Sequence, residues 1–358
     1  MSRRIPVLIV AGFLGAGKTT LLNRLLRSRS VRIGVVVNDF GAVNIDAMLV
    51  AGQVDAMVSL GNGCVCCAVD VSELDGLFDR LAEPRQKIDV IVVEASGLAE
   101  PRNLIRMVSG SDNPRIRYGG LIEVVDAEHF GESRARHPEL GTHLRMADLV
   151  VVNKADRVEP GALEQLRTEI SELVGQVPVY PTSHGRVDPG LLFDIPARDS
   201  GEPHVGEQLS FDELFHDEHD EHEHDCTGHE CHDHRHLHDG YDSVSFTSTT
   251  DLNPRELIAG LEDPPPGLFR AKGVLAFATE DQRKFLLHMV GRHITIEPTT
   301  WARHEPRTST LVLIGTGLDA TAITARLDAT AHTSPEPLND EALLPIWRYV
   351  TPEPSWSE

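Results

Sequence analysis

The chain begins with an apolar run, Ile5-Pro-Val-Leu-Ile-Val10, which leads through Ala11 into Gly12-Phe-Leu-Gly-Ala-Gly-Lys18-Thr19. The second stretch fits G-x-x-x-x-G-K-[ST], and its setting predicts a buried strand, a phosphate-binding loop and then a helix. Glycines let backbone N–H groups turn toward phosphate oxygens, and the helix N-terminus adds a favourable dipole. The loop therefore predicts a nucleotide site whose candidate contacts are Gly12, Gly15, Ala16, Gly17, Lys18, Thr19 and Thr20.

Two side chains of this loop and one downstream acid have predicted roles. Lys18 is expected to reach the β and γ phosphates, and the Thr19 hydroxyl is expected to hold Mg²⁺. Glu94 ends a second apolar run and precedes Ala-Ser-Gly97. An acid at the end of such a strand can orient Mg²⁺ or a water beside the γ phosphate. We therefore predict Lys18 and Glu94 as catalytic residues; a solvated loop acid is the alternative for Glu94.

A third motif specifies the base. Asn153-Lys154-Ala155-Asp156 follows the apolar run 149–152. A carboxylate at Asp156 can accept hydrogen bonds from both N1–H and N2–H₂ of guanine, a pair that adenine does not present, and the wrong base leaves polar groups unpaired. GTP is therefore predicted over ATP, with Asn153, Lys154, Asp156 and a backbone contact from Ser183 as further nucleotide ligands.

The periodicity of the first two hundred residues alternates between strands and helices. Continuous Val/Ile/Leu runs separated by helices predict a parallel sheet covered on both faces. We expect strands at 5–10, 33–37, 56–60, 88–93, 120–125, 149–152 and 177–179, and helices at 19–26, 71–82, 101–108, 139–147 and 161–174. The fold class is α/β, a GTPase domain of the P-loop type with a mostly parallel sheet, over residues 1–200.

The rest of the chain divides into three parts. Residues 201–240 read as an acidic, His-rich linker, because they lack the apolar groups that a core requires. The pattern of residues 241–330 predicts a small second α/β domain. Residues 331–358 are expected to form a Pro-containing irregular tail. In the second domain we expect strands at 244–247, 273–277, 285–289, 294–296 and 311–314, and helices at 254–261 and 318–328.

Composition limits the partners and the compartment. A formal charge of −22 argues against nucleic acid and against an anionic membrane surface, since both repel an acidic chain. No apolar run approaches the roughly 18 residues needed to span a bilayer. The five cysteines, three of them within four positions, do not resemble a secreted disulfide framework. We therefore expect a cytoplasmic protein.

The three clustered thiols lie in Gly61-Asn-Gly63-Cys64-Val-Cys66-Cys67, between the phosphate loop and Glu94. As thiolates, Cys64, Cys66 and Cys67 suit Zn²⁺ or Cu(I), or Co²⁺ where it is available. The alternatives are small buried apolar residues and a redox pair. The C-x-C-C spacing in a glycine turn favours metal.

A second group of metal-binding side chains lies in residues 216–239, where nine histidines and nine acidic residues surround Cys226 and Cys231. Imidazole binds Zn, Co, Ni and Cu well. The irregular spacing favours a loose reservoir for several ions over one tetrahedral site, and a solvating linker is the alternative. Candidate ligands include His222, His224, His229 and His232.

In the combination of these motifs the chain resembles the CobW-type metallochaperone GTPases. The matching elements are the phosphate loop, Asn38-Asp39-Phe40-Gly41, the C-x-C-C loop, Glu94-Ala-Ser-Gly97 with Pro101, Asn153–Asp156 and the His-rich insert before a small domain. The resemblance implies a metal site beside the nucleotide, GTP hydrolysis that gates metal transfer to a client metalloenzyme, and a switch at residues 38–46 with Asp39 as a further catalytic residue.

The resemblance has departures, and other functions stay open. Family members often carry Glu where this chain has Asp39, and another acid where it has Ala42, so that a metal role there falls to Asp39 or Asp46. A metal buffer using the His-rich tract, and a GTPase for nickel or iron insertion into a metalloenzyme, are the alternative functions. A P-loop kinase is disfavoured by Asp156.

Overall fold

The computed structural model describes residues 4–27, 31–37, 57–59, 71–95, 100–194 and 241–350. Its first sheet consists of the strands β1 (Ile5–Gly12), β2 (Ile33–Val37), β3 (Met57–Ser59), β4 (Val90–Glu94), β5 (Ile116–Asp126), β6 (Leu149–Asn153) and β7 (Val179–Pro181). They lie in the order β3-β2-β4-β1-β5-β6-β7, and every pairing is parallel. All carboxyl ends therefore meet at one edge.

Helices cover both faces of this sheet, as the apolar strands require. On one face, α1 (Lys18–Leu26) buries Leu21, Leu22 and Leu25. The opposite face is covered by α2 (Val71–Leu81), α3 (Pro101–Ser109), α4 (Phe130–Arg136), α5 (Leu140–Met146) and α6 (Pro160–Val174). The short α7 (Pro189–Leu192) returns to the α1 face. The predicted fold class is confirmed.

The second domain is built on an antiparallel sheet. Its strands are β8 (Asp242–Ser248), β9 (Leu268–Leu275), β10 (Lys284–Val290), β11 (His293–Thr299) and β12 (Ser309–Gly315), in the order β11-β10-β9-β12-β8. The helices α8 (Pro254–Glu262), α9 (Ala320–Asp328) and α10 (Leu344–Trp347) pack on one face of it.

The two domains share a hydrophobic core. Phe269, Val290, Val312 and Ile314 of the second sheet join the apolar cluster that lies beneath α1. The two sheets approach each other closely here, because a Cβ on Gly120 (φ +115°) of β5 would lie 2.7 Å from Val290 Cγ1 of β10. The second sheet therefore completes the burial of the first.

Ion pairs at one end, and a hydrogen bond with apolar packing at the other, hold the two ends of the segment that joins the domains. Asp194 is paired with Arg270 at 2.8 Å and with Lys272 at 2.6 Å, and all three side chains are buried or nearly so. Tyr241, where the described chain resumes, packs against the shared core, and its hydroxyl is hydrogen-bonded to Asp188. Both ends of the segment are thus held at the domain boundary.

Two strands begin earlier than the sequence predicts. β5 starts at Ile116 instead of 120, because Arg117 and the glycine pair interrupt the apolar run, and the pairing with β1 shifts register there. β9 starts at Leu268 instead of 273, since half-buried Arg270 and Lys272 conceal its pattern. Most other predicted elements lie within two residues of their observed bounds.

The structure differs from the prediction in three further segments. The irregular tail expected beyond 331 instead forms helical turns at Asp340–Leu343 and at α10, and Leu343 and Ile346 are buried in the second core. Two helices were not predicted, namely α4, whose one buried residue is Phe130, and the four-residue α7. In the described ranges, no helix combines the length and apolar character needed to cross a membrane.

We predict that Asp194→Ala lowers the free energy of unfolding by about 3–5 kcal/mol, because it leaves two largely buried cations without their carboxylate. The matched control is Glu164→Ala. That acid is 68% exposed and pairs with Arg167 at 2.8 Å, so its loss should cost about 0–1 kcal/mol. Urea denaturation of both variants at pH 7 measures the difference, and equal losses would contradict the role assigned to Asp194.

Candidate functional site

The phosphate loop connects β1 to α1 in a backbone conformation that favours glycine. Gly12, Gly15 and Gly17 have φ of +139°, +78° and +103°. A Cβ on Gly12 would lie 2.2 Å from Val124 O of β5, and one on Gly17 would lie 2.2 Å from Asn153 Nδ2. Gly12 and Gly17 are thus required by close neighbours as well as by the turn, whereas Gly15 is required by its positive φ alone.

Lys18 is the buried cation of the loop, with 8% of its surface exposed. Its Nζ donates to the carbonyl oxygens of Gly12 at 2.8 Å and Phe13 at 3.3 Å. These bonds hold the ammonium over the loop, where a bound nucleotide presents its phosphates.

Thr19 and Glu94 meet at the edge of the sheet, although 75 positions separate them in the chain. The Thr19 hydroxyl donates to Glu94 Oε1 at 2.9 Å. Because Val10 is paired with Glu94 in the register of β1 and β4, the acid lies beside the start of the loop. A hydroxyl and a carboxylate at this separation are oxygen ligands of the kind that Mg²⁺ prefers.

Asn153, at the end of β6, ties three loops together. Its Nδ2 donates to Ala16 O at 2.9 Å, and its Oδ1 accepts from Gly185 N at 3.0 Å. The side chain is buried with both polar ends satisfied. Its first function is therefore to hold the phosphate loop against the loop that follows β7.

Asp156 is exposed beside that same loop. Its backbone N–H donates to Ser183 Oγ at 3.1 Å, and its carboxylate lies 3.7 Å from His184 Nε2. The Ser183 hydroxyl is the main cause that holds the pKa of Asp156 below its usual value. The Asp156 carboxylate is thus ionised and can accept hydrogen bonds from a nucleotide base. The Ser183 side chain holds Asp156 in place, which is a role beyond the predicted backbone contact.

Lys154 takes a positive φ of 61° and turns its side chain toward β5. Its Nζ is 2.6 Å from Asp126 Oδ2. Burial raises the pKa of Asp126, but the bonds from Lys154 and the Glu128 backbone outweigh it and leave the pKa low. Sequence reasoning missed Asp126, although an acid that directly follows a buried strand was a usable signal.

Glu123 is a second missed acid, and its environment is different. It lies inside β5, and 2% of its surface is exposed. Burial raises its pKa to about 8, and the nearby charge of Lys18 opposes that rise. In the described part of the chain, Glu123 Oε2 has no hydrogen-bond partner.

Several predicted residues lie outside the described ranges, namely Asp39, Cys64, Cys66, Cys67, His222, His224, His229 and His232. Within those ranges, Asp126, Glu128 and His129 bring possible metal ligands within 4.8 Å of one another. However, Asp126 is paired with Lys154, and Glu128 lies 3.4 Å from Arg157, so their charges are already matched.

The structure brings together Lys18, Thr19, Glu94 and Asn153 at one sheet edge, with Asp156 and Ser183 on the adjoining loops. A glycine loop with a buried lysine, a hydroxyl–carboxylate pair and an exposed acid at the position predicted to contact the base together define a P-loop GTPase.

Comparison with known proteins gives the family. Residues 6–181 match the model "CobW/HypB/UreG, nucleotide-binding domain", and 241–331 match "Cobalamin synthesis protein cobW C-terminal domain". The zinc chaperone CobW of Pseudomonas aeruginosa is 32% identical over 367 residues, which cover 90% of this chain and 91% of that protein. The chain belongs to the CobW family and is a GTPase.

One further relative matches a shorter part of the chain, and its crystal structure was also compared. The zinc chaperone YjiA of Escherichia coli is 34% identical over 197 residues, which cover 53% of this chain and 61% of that protein. The crystal structure of the Zn(II)-bound YjiA GTPase from E. coli is 21% identical, covers 92% of this chain and all of that one, and has a TM-score of 0.43.

We predict that Asp156→Asn weakens GTP binding by about 10–100-fold, since a hydrogen bond to a charged group contributes about 1.5–3 kcal/mol. Xanthosine triphosphate, which presents a carbonyl in place of the guanine amino group, should bind the variant better than the native protein. Glu159→Gln, a neighbouring acid, is the control and should change neither affinity. Titration calorimetry with both nucleotides measures the result; an unchanged preference for GTP would contradict the guanine-reading role.

Proposed function

We propose that this chain is a GTP-dependent metallochaperone. It would bind Zn²⁺, or Co²⁺, through Cys64, Cys66 and Cys67, and GTP hydrolysis would control transfer of the metal to a client protein. The zinc chaperone names of two relatives support zinc as the cargo. A reducing cytoplasm, which the cysteine usage predicts, would keep the thiols available.

The observation that carries this proposal is the Thr19–Glu94 hydrogen bond and the register of the strands beside it. Val37 of β2 is paired with Glu94 on one side and with Ser59 of β3 on the other. Glu94 and Ser59 thus lie two strand spacings apart, about 10 Å. Cys64 is five residues after Ser59, a reach of at most about 18 Å along the chain.

This geometry supports energetic coupling between GTP binding at the phosphate loop and metal binding at the cysteines. Val37, which precedes residues 38–46 in the chain, lies between Glu94 of β4 and Ser59 of β3. A segment ordered by the γ phosphate and Mg²⁺ in that position would change the surroundings of the cysteine loop when GTP is hydrolysed. Asp39 lies in it and would be the residue to orient water.

The residues already described would hold the nucleotide and its ion. Gly12, Gly15, Ala16 and Gly17 would offer backbone N–H groups to the phosphates, Thr20 would extend that contact, and Thr19 with Glu94 would hold Mg²⁺. Bound Mg²⁺ neutralises charge on the β and γ phosphate oxygens. Lys18 would exchange its loop carbonyls for these oxygens and stabilise the charge that develops on them.

The His-rich stretch with His222, His224, His229 and His232 would act as a reservoir that supplies the tighter cysteine site. Its imidazoles and carboxylates suit the same ions but offer no fixed geometry in their spacing. Such a reservoir would raise the local metal concentration without setting the selectivity.

Lys18→Ala should lower kcat for GTP hydrolysis on the order of 10²–10³-fold, because it removes a preorganised charge from the phosphate site. Arg24→Ala, which removes an exposed cation from the far end of α1, is the control and should leave kcat unchanged. Phosphate release under saturating GTP and Mg²⁺ gives the rates. Undiminished turnover by Lys18→Ala would remove the phosphate loop from the catalytic site.

A double change of Cys66 and Cys67 to Ser should weaken zinc binding and abolish the effect of zinc on GTP affinity, while hydrolysis without metal persists. By linkage, if GTP tightens the metal site, metal tightens GTP by the same factor, and about 1–3 kcal/mol is usual. Thiols lose protons on binding, so zinc loading should also release protons. GTP titrations with and without saturating zinc measure the coupling; identical affinities for the native protein would refute a chaperone mechanism.

A further inference from the structure

A cavity of about 340 Å³ opens beside the phosphate loop, on the face of the sheet opposite α1. Phe13 and Leu14 form one wall, and α4 and α5 form the other. Its volume falls at the lower end of the range of about 300–1,000 Å³ for ligand sites. Gly15, Ala16 and Lys154, which are predicted nucleotide contacts, line its edge, whereas Asp156 and Ser183, which are predicted to contact the guanine base, do not line it.

Glu123 is the acid at this cavity that lacks a hydrogen-bond partner. It lines the cavity, it is buried, and its Oε2 atom is without a partner in the described residues. A buried polar group that stays unpaired costs about 1–3 kcal/mol, and native proteins contain few of them. A ligand that satisfied Glu123 would recover that free energy.

Most other charges around the cavity are already matched. Asp126 is paired with Lys154, and Glu132 of α4 is paired with Arg136 one turn later. His129 and His137 lie 3.2 Å from the carboxylates of Asp126 and Glu139. Lys18, with its bonds to loop carbonyls, is the cation whose charge acts on Glu123.

The walls and the rim indicate what kind of group enters. Phe130, Leu140 and Leu144 give the cavity apolar walls, which suit an aliphatic stem. Leu14, at the rim, is 64% exposed and is one of two large apolar side chains that stand out from the described surface. Leu14 therefore adds apolar surface at the mouth of the cavity, which a group that enters the cavity can cover.

We propose that this cavity receives an arginine or lysine side chain of a partner protein, with Glu123 as its counter-ion and Leu14 as part of the surrounding contact. Long basic side chains bury their methylene stem along apolar walls and keep the charge at a polar group. The chain carries a formal charge of −22, so that a basic partner surface is also attracted at a distance.

The inserted cation would change the protonation state of Glu123 and the charge beside the phosphate loop. Glu123 would ionise when the cation arrives, which converts an unpaired buried acid into a buried ion pair. The inserted side chain would also place a second positive charge beside the phosphate loop, next to the buried cation Lys18. Arginine fits better than lysine, because its planar guanidinium can meet both carboxylate oxygens.

The test uses the full chain and two peptides, acetyl-Leu-Arg-Leu-amide and its counterpart with citrulline, the neutral isostere of arginine. Titration calorimetry at pH 8 should give at least tenfold tighter binding of the arginine peptide. Butylguanidinium, the free cation with its stem, should bind more weakly than the peptide. Equal affinities for the two peptides would refute the proposal, and butylguanidinium as tight as the peptide would refute a protein-docking surface.

Three variants locate the site. Glu123→Gln should remove the preference for arginine over citrulline, while Glu132→Gln, which removes an exposed acid of the same rim, should retain it. Ser133→Leu adds a side chain to the cavity from α4 and should weaken both peptides, so that it tests the site even if Glu123→Gln fails to fold. Arginine preference that survives in Glu123→Gln or binding unchanged in Ser133→Leu would overturn the assignment.

The pH dependence distinguishes Glu123 from the exposed acids. Because burial raises its pKa to about 8, the free protein holds a proton there at pH 7, and binding of a cation must release it. Affinity for the arginine peptide should rise by up to about tenfold per pH unit from pH 6.5 and level off above 8. Citrulline binding should stay flat. An arginine-peptide affinity that is flat over this range would contradict the role of Glu123.

Discussion

The amide of Asn153 is the contact on which the geometry of the nucleotide site depends. It comes from β6, which is separated from β1 by β5, yet it holds both the phosphate loop and the loop after β7. Gly17 must be glycine because a Cβ there would collide with this amide. Phosphate and base recognition are thereby fixed relative to each other by one buried side chain with two satisfied hydrogen bonds.

Three acids near the ends of β4 and β5 acquire different chemistry from their partners. Glu94 accepts from Thr19 beside the phosphates, and Asp126 is kept ionised by Lys154. Glu123 has no such partner and is kept neutral at pH 7 by burial. Position in the sheet brings the acids together, whereas desolvation and the nearest cation decide the charge of each.

The two motifs of the nucleotide site could be predicted from sequence because the backbone and the base demand particular residues at fixed spacing. Gly12 is an example: its positive φ and its close contact with the Val124 carbonyl oxygen exclude other residues. Asp156 is another, since only an acid there can accept both hydrogen bonds that guanine is predicted to donate. Glu123 could not be predicted, because a strand buried on both faces has no alternation that marks which way an acid points. The shared core was equally hidden, since Phe269 lies before the predicted start of its strand at 273 and Val290 lies after the predicted end of its strand at 289.

The anchoring at Asp194 and Tyr241 has a consequence for how the family can vary. Both ends of the intervening 46 residues are fixed at the domain boundary by Arg270, Asp188 and the shared core. The entropic cost of joining two fixed ends grows only logarithmically with the number of residues between them, by about 0.6 kcal/mol for each doubling. Insertions and deletions of histidine codons here are therefore almost neutral for folding. If the histidines there hold metal ions as proposed, the number of ions bound can change with segment length while the GTPase core stays unchanged.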